Sequence, residues 1–241
     1  QFGERTNRLA GALRALGVGP GDRVGTLAWN HHQHLEAYFA VPNMGAVVHT
    51  LNIRLFPEQL VYIINHAEDR VLLIDPDLLP LVEAIAPKLD TVRHYVVIAD
   101  EAPASKLPDL LAYEPLLAAA EAEYDWPALD EQAPAAMCYT SATTGNPKGV
   151  LYTHRSIYLH ANAVGLVDCL GVSERDTVLP FVPMFHANTW GLAHAGIFFG
   201  CKLVLPGPRP DARITLQLIQ DERVTVPAGV PTIWIAAAPL I

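Results

Sequence analysis

A short polar segment between two apolar segments contains several hydroxyl side chains and a lysine close together. Residues 137–150 read MCYTSATTGNPKGV. Hydroxyl groups donate hydrogen bonds to phosphate oxygens, and Lys148 adds a compact positive charge. Gly145 and Gly149 allow backbone shapes in which several N–H groups point at one anion. We therefore predict a phosphate-binding loop that contains Thr140, Ser141, Ala142, Thr143, Thr144, Gly145 and Lys148.

The spacing separates this loop from the common nucleotide-binding loop, in which a glycine and four further residues precede Gly-Lys-Ser or Gly-Lys-Thr. Here two residues separate Gly145 from Lys148, and a glycine rather than a hydroxyl residue follows the lysine. Pro147 also has no N–H to donate. A kinase-like or GTPase-like site is therefore not favoured, whereas an ordinary polar turn between two strands stays an alternative.

The order of residues 139–150 resembles the signature loop of the adenylate-forming superfamily, roughly Tyr-Thr-Ser-Gly-Thr-Thr-Gly-x-Pro-Lys-Gly-Val. That superfamily contains acyl-CoA synthetases, adenylation domains of peptide synthetases and luciferases. The sequence departs from the pattern at Ala142, where the family usually has glycine. Alanine resists positive φ, so we expect that this position needs no left-handed backbone. The alternative is that the loop is slightly reshaped and binds phosphate more weakly.

Three further segments resemble the same superfamily, in matching order. Residues 183–191, PMFHANTWG, resemble its Pro-x-Phe-His motif. The Asn-x-Trp continuation is the form of the medium- and long-chain fatty acyl-CoA synthetase branch. Residues 228–232, AGVPT, resemble a segment that lines the acyl pocket, and residues 202–206 resemble the strand between the two. The likeness extends from Arg8 through nearly the whole chain.

The resemblance implies a two-step reaction. A fatty acid carboxylate attacks the α-phosphate of ATP to form an acyl-adenylate and pyrophosphate, and the thiol of coenzyme A then displaces AMP. The implied cofactors are ATP, Mg²⁺ and coenzyme A. Mg²⁺ is expected because the charge of the triphosphate must be neutralised. Two alternatives stay open: an adenylate-forming enzyme with an acceptor other than coenzyme A, and a truncated, non-catalytic binding module.

The resemblance also assigns roles to single residues. Lys148 and His186 are the implied catalytic residues, with His186 facing the carboxylate and the α-phosphate. The loop would hold the β- and γ-phosphates, and no metal ligand is assigned within the chain. Trp190, Val230 and Pro231, with Trp234 beside them, would line or gate an acyl pocket. A structural histidine at 186 and core packing for the apolar residues remain the alternatives.

Composition excludes several other classes of protein. The net charge is −9 and no basic stripe occurs, so nucleic-acid binding is not expected. Three scattered cysteines, of which Cys138 lies in an apolar run, indicate reduced thiols in a cytoplasmic protein rather than a disulfide scaffold. His31, His32 and His34 lack a fourth ligand, so a solvated helix start is favoured over a metal site.

One long segment without charged residues has the length of a membrane span. Residues 177–201 contain no Asp, Glu, Lys or Arg, which is long enough to cross a bilayer. Two prolines, two histidines and an asparagine interrupt the segment and would be costly in lipid. We therefore predict a strand, a loop and a buried helix here, and no transmembrane segment.

Alternating strand and helix patterns predict an α/β fold with parallel-rich sheets flanked by helices. We predict two βα subdomains of the large N-terminal domain of adenylate-forming enzymes, over residues 1–134 and 135–241, with residues 102–134 as a connector that contains one helix. Helices are expected over 154–170, 192–199 and 214–221. Both ends look cut, which predicts an N-terminal portion without its C-terminal domain. Acyl chain length and oligomeric state stay open, with a homodimer suggested by the resemblance.

Overall fold

The computed structural model describes residues 1–140 and 146–240. Ser141, Ala142, Thr143, Thr144 and Gly145 of the predicted phosphate loop lie outside the described residues. The chain divides into two compact units. The first unit comprises Gln1–Ala28 and Gln33–His154, and the second comprises Trp29–His32 and Arg155–Ile241.

The first unit is built on a mostly parallel sheet. In spatial order its strands are β5 (Leu111–Ala112), β4 (His94–Val97), β3 (Asp69–Ile74), β1 (Arg23–Leu27), β2 (Val47–Thr50), β6 (Pro134–Tyr139) and β7 (Gly149–Thr153). Each neighbouring pair is parallel except β6 and β7, which form an antiparallel pair. The central strands β2 and β3 are buried along nearly their whole length, as expected where both faces of a parallel sheet are covered. The predicted α/β class with a parallel-rich sheet is confirmed.

Five α-helices of the described residues accompany the strands of this sheet along the chain. They are α1 (Phe2–Ala15), α2 (His32–Asn43), α3 (Pro57–Ala67), α4 (Leu79–Ile85) and α5 (Tyr113–Ala118), with short 3-10 turns at Pro76–Leu78 and Ala86–Lys88. Helix α3 starts at a proline, whose fixed φ suits the first helical position. Its buried face, Leu60, Ile63 and Ile64, joins the core cluster that also contains Leu72 and Ile74 of β3.

The second unit has a smaller sheet, in which β8 (Thr177–Pro180) lies between β10 (Val226–Ala228) and β9 (Lys202–Leu203). Both pairs are parallel. Its helices are α6 (His154–Val164), α7 (Leu192–Phe199), α8 (Ala212–Asp221) and α9 (Pro231–Ala237), with 3-10 turns at Ala187–Gly191 and Ala238–Leu240. The side chain of Asp211 caps α8 by accepting a hydrogen bond from the Ile214 N–H at 2.8 Å.

The division into units does not coincide with the predicted boundary after residue 134. Strand β6 begins at Pro134 and pairs with β2, so the strands on both sides of the phosphate loop extend the first sheet. Helix α6 is also shorter than predicted and ends at Val164, because the chain turns at Gly165 and Gly171. Strand β5 and helix α9 were not predicted. Helix α9 forms in an apolar tail whose Pro231 provides a helix start.

The predicted absence of a transmembrane segment concerned residues 177–201. The structure forms strand β8, the Ala187–Gly191 turn and helix α7 there. Across the described ranges, no helix has both the length and the apolar character needed to cross a membrane.

Candidate functional site

The predicted phosphate loop is closed by a hairpin stem. Strands β6 and β7 pair with Tyr139 opposite Gly149, and the Thr140 N–H donates to the Lys148 carbonyl at 3.0 Å. The structure therefore brings Thr140 and Lys148 together at the base of the loop. An antiparallel stem holds both ends of a short loop at a fixed separation, which suits a loop that must present several donors to one anion.

Tyr139 stabilises this hairpin stem through contacts with His66 and Gly149. Its hydroxyl is hydrogen-bonded to Nδ1 of His66 at 2.6 Å. Its ring lies against Gly149, and a Cβ added to Gly149 would be 3.2 Å from Cζ of Tyr139. Burial, and secondarily the charge of Asp69, raises the pKa of Tyr139 to about 12, so the phenol keeps its proton at neutral pH. A side chain at position 149 would therefore press on the Tyr139 ring, which would have to shift by a few tenths of an ångström.

A buried pair of hydrogen-bonded side chains, His49 and Asp69, lies next to Tyr139. Nδ1 of His49 is 2.8 Å from Oδ2 of Asp69, both side chains are fully buried, and the rings of His49 and Tyr139 are 5.2 Å apart. Burial raises the pKa of the Asp69 carboxyl, and the charge and hydrogen bond of His49 oppose that change. Sequence reasoning missed this pair and His66, because a histidine inside an apolar strand gives no signal of its partner.

The predicted ligands at the stem face solvent. Thr140 and Lys148 are exposed, and the Lys148 ammonium forms no ion pair with any residue of the described ranges. The Thr140 hydroxyl lies 3.5 Å from the Lys148 carbonyl oxygen. A solvated lysine without a carboxylate partner keeps its charge available to an anionic ligand.

The Pro-Met-Phe-His segment belongs to the second unit. Met184 and Phe185 are buried, whereas His186 is exposed, and the His186 N–H donates to the Pro183 carbonyl at 3.1 Å. The buried pair fixes the segment to the core and directs the next side chain outward. The His186 ring makes no hydrogen bond to a described residue, so the alternative of a hydrogen-bonded structural histidine is not favoured.

An unusual left-handed turn follows His186. The φ angles of Ala187, Asn188, Thr189 and Trp190 are 46°, 45°, 58° and 53°, and Gly191 has φ 73°. Each left-handed position costs a residue with a side chain about 1–2 kcal/mol. The Trp190 carbonyl oxygen lies 3.1 Å from Nε2 of His160 on α6. Strained backbone that the surroundings hold in place is typical of functional sites.

The predicted acyl-pocket residues are mostly exposed. Trp190 is 42% exposed and Val230 is 38% exposed, and Pro231 starts helix α9 on the surface. This exposure does not fit the alternative that Trp190 is a core aromatic. Trp234 is partly buried and donates its Nε1–H to the Gly229 carbonyl at 3.1 Å, which gives it a packing role.

The histidines at the start of α2 show no metal-site arrangement. His34 is buried and its Nε2 is 2.9 Å from the Thr26 hydroxyl. This partner and the burial of His34 explain it as a satisfied core residue, so the predicted solvated helix start is wrong for this member of the triplet. Within residues 1–140 and 146–240, no group of three His, Cys, Asp or Glu side chains could hold a metal ion.

Comparison with known proteins connects this geometry to a family. Residues 1–239 match the family described as AMP-binding enzyme. Over 98% of its length the chain is 55% identical to a long-chain-fatty-acid–CoA ligase of Thermus thermophilus, and over 96% it is 51% identical to a 3-methylmercaptopropionyl-CoA ligase of Ruegeria pomeroyi. The chain spans only 42% and 43% of those two relatives.

A solved structure agrees with these sequence relatives. The inhibitor-bound N-terminal domain of FACL13 from Mycobacterium tuberculosis superposes with a TM-score of 0.85 at 29% identity, covering 98% of this chain and 56% of that one. The family match over nearly every residue, the fold and the loop stem are mutually consistent. The chain belongs to the AMP-binding enzyme family.

Proposed function

We propose that this chain is the N-terminal part of a fatty acid–CoA ligase. The enzyme would activate a carboxylic acid with ATP to an acyl-adenylate and then transfer the acyl group to coenzyme A. The observation that carries the proposal is the 55% identity to a long-chain-fatty-acid–CoA ligase over 98% of the chain. The stem-anchored loop and the outward His186 are the local features that support it.

The loop supplies the electrostatic part of the proposed first step. Attack on the α-phosphate gathers negative charge on the departing pyrophosphate, so prearranged donors and a cation lower the barrier. We assign Thr140 and Lys148 to the β- and γ-phosphates, together with the loop residues outside the described ranges, namely Ser141, Ala142, Thr143, Thr144 and Gly145. Lys148 would neutralise pyrophosphate as it leaves.

The second unit supplies the proposed carboxylate and acyl contacts. His186 is exposed directly after two buried residues, so its ring is available to donate to a carboxylate or to the α-phosphate. Trp190 follows on strained backbone, which agrees with an aromatic side chain at the mouth of an acyl pocket. Val230 and Pro231 would add apolar surface to that pocket.

Magnesium is the proposed metal cofactor. Divalent cations neutralise triphosphate charge and prefer oxygen ligands. The described residues offer no cluster of carboxylates or histidines that would hold the ion alone. In this proposal the phosphate oxygens of ATP are ligands of the ion.

The proposal also covers the acid substrate, the cellular location and the oligomeric state of the enzyme. The two relatives are named for a long-chain fatty acid and for a 3-methylmercaptopropionyl group, so the acyl pocket is proposed to accept a medium- or long-chain fatty acid, with a short thioether acid as competitor. One methylene changes binding by only about 1–3 kcal/mol. We propose a cytoplasmic enzyme and a homodimer.

The test uses the full-length polypeptide that contains this chain. Pyrophosphate release is followed with ATP, Mg²⁺ and a series of acids, with and without coenzyme A. We expect sustained, acid-dependent release only when coenzyme A is present. Sustained release without coenzyme A would indicate another acceptor, and no release with any acid would contradict adenylation. Tight, saturable ATP binding by a protein that releases no pyrophosphate would favour a binding module.

A further inference from the structure

We infer that Asn30 is a positioning residue for the segment of residues 180–186 and so for the His186 side chain. Asn30 is 150 or more positions away from this segment in the sequence, and neither the loop motif nor the family comparison assigns it a role. The inference rests on the proposed function, since His186 is assigned there to the carboxylate and the α-phosphate.

The Asn30 amide makes three hydrogen bonds to one stretch of backbone. Nδ2 donates to the carbonyl of Pro180 at 2.9 Å and to the carbonyl of Val182 at 3.0 Å. Oδ1 accepts from the Met184 N–H at 2.7 Å. The side chain therefore holds the end of β8 and the four residues after it in one register. The last of these residues, Met184, lies two residues before His186.

Only an asparagine side chain satisfies this arrangement. Two carbonyl acceptors need an NH₂ group, and one N–H donor needs a carbonyl oxygen, at a distance set by a single methylene. An aspartate of the same shape would accept from the Met184 N–H, but it would place a carboxylate against two carbonyl oxygens. Asn30 is buried, so each lost bond leaves an unpaired polar group away from water.

The anchor itself is held in place by its surroundings. The Asn30 carbonyl accepts from the Gly207 N–H at 2.9 Å, and the two residues form an isolated bridge. The neighbouring Trp29 packs edge-on against Phe185, with ring centroids 5.8 Å apart. The backbone of the segment before His186 is thus hydrogen-bonded to the Asn30 amide, and its Phe185 side chain packs against the Trp29 ring.

This rigidity matters because the backbone beyond His186 is strained. Four successive left-handed residues other than glycine begin at Ala187, and such a turn persists only where the flanking chain is held. Released from Asn30, the segment is free to relax, and the His186 ring moves with it. A displacement of about 1 Å at a reacting group can lower a rate about 100-fold.

The test compares three variants of the full-length protein. Asn30→Ala removes all three hydrogen bonds, and Asn30→Asp keeps the shape but removes both donated bonds. Asn7→Ala is the matched control, because Asn7 also makes two such bonds, to the Ala122 carbonyl at 2.9 Å and from Trp126 Nε1 at 3.2 Å. The readouts are hydrogen exchange of the peptide covering residues 180–190 and the kinetics of pyrophosphate release.

We expect both Asn30 variants to speed exchange in that peptide and to lower kcat for pyrophosphate release about 10- to 100-fold, with the KM for coenzyme A unchanged. Asn7→Ala should leave exchange in the peptide and kcat at wild-type values. A merely structural role would lower thermal stability in all three variants without this kcat loss.

Two results would overturn the inference. One is wild-type exchange of residues 180–190 in Asn30→Ala, and the other is faster exchange with an unchanged kcat. A wild-type protein that releases no pyrophosphate with any acid would instead overturn the proposed function. The exchange experiment would then still decide the anchoring, since faster exchange in the Asn30 variants supports it and unchanged exchange refutes it.

Discussion

Lys148 is the residue whose charge the proposed chemistry uses most directly. Its ammonium is solvated and forms no ion pair with a described residue, so Lys148→Ala should cost little stability. We expect kcat/KM for ATP in acid-dependent pyrophosphate release to fall about 10- to 1,000-fold, because a preorganised cation is removed from the developing charge. Steady-state kinetics check this against Lys88→Ala, an exposed lysine outside the loop, which should behave as wild type.

Ala187 tests the left-handed turn after His186. Glycine adopts its φ of 46° without the penalty that a Cβ brings. We expect Ala187→Gly to raise Tm by about 2–4 °C, which corresponds to about 1 kcal/mol. The control is Ala195→Gly inside α7, where glycine should lower Tm. Calorimetry that found Ala187→Gly less stable than wild type would rule out a left-handed residue there.

Residue types identified the chemistry but not the contacts that support it. The run from Thr140 to Lys148 and the segment ending at His186 are visible because their hydroxyl, lysine and histidine side chains stand in a recognisable order. Asn30 and the His49–Asp69 pair were invisible, since each acts through partners distant in sequence. Sequence periodicity reports burial, and it does not report which buried polar groups meet.

At the scale of elements, a half-buried ion cluster ties three helices of the first unit together. Nε of Arg5 on α1 is 2.6 Å from Oε1 of the buried Glu36 on α2, and the same guanidinium contacts Glu114 on α5 at 2.8 Å. The Tyr113 hydroxyl also donates to Glu36 at 2.7 Å. Both carboxylates raise the pKa of Arg5, so the guanidinium remains charged.

Removal of the buried carboxylate should therefore loosen all three helices. We expect Glu36→Ala to lower the free energy of unfolding by about 3 kcal/mol, because Arg5 and the Tyr113 hydroxyl lose their buried partner. The exposed pair of Arg8 with Glu4 is the matched control, and Glu4→Ala should cost about 0–1 kcal/mol. Equal losses in thermal or urea unfolding would show that the cluster adds no more than a surface pair.

Element patterns predicted strands and helices well but predicted their partners less well. The strand ending at Tyr139 was visible as an apolar run, and the structure pairs it with β2 rather than with the second sheet. Strand pairing depends on which apolar faces pack together, here between strands more than eighty residues apart in the sequence. The local pattern of apolar residues does not report that contact. For the same reason the two-residue strand β5 was missed within an alanine- and proline-rich connector.

At the scale of the whole molecule, the lowered pKa of His194 on α7 predicts that the free energy of unfolding falls in acid. Burial, and secondarily the charge of His160, lowers the pKa of His194 from 6.5 to about 4. The unfolded chain therefore binds this proton more readily than the folded chain does. The contribution of neutral His194 is complete above pH 6.5 and is lost as the pH falls towards 4.

We accordingly expect Tm of the wild type to fall between pH 6.5 and 4.5, and to fall less in His194→Gln. Burial also lowers the pKa of His154, so the variant keeps part of the slope. The lowered pKa values of Glu83 and Asp176 affect stability below this window, since their ordinary values are 4.5 and 3.8. Identical slopes in calorimetric scans of the two proteins would contradict the assignment to His194.

The central claim, that this chain bears the phosphate loop of an acid-activating ligase, concerns the first half-reaction. Its most direct measurement is the exchange of labelled pyrophosphate into ATP by the full-length protein, without coenzyme A, in the presence and absence of a fatty acid. Reversible adenylation predicts exchange that requires the acid and falls sharply in Lys148→Ala. Exchange that is absent with every acid, or that proceeds equally without one, would contradict the account.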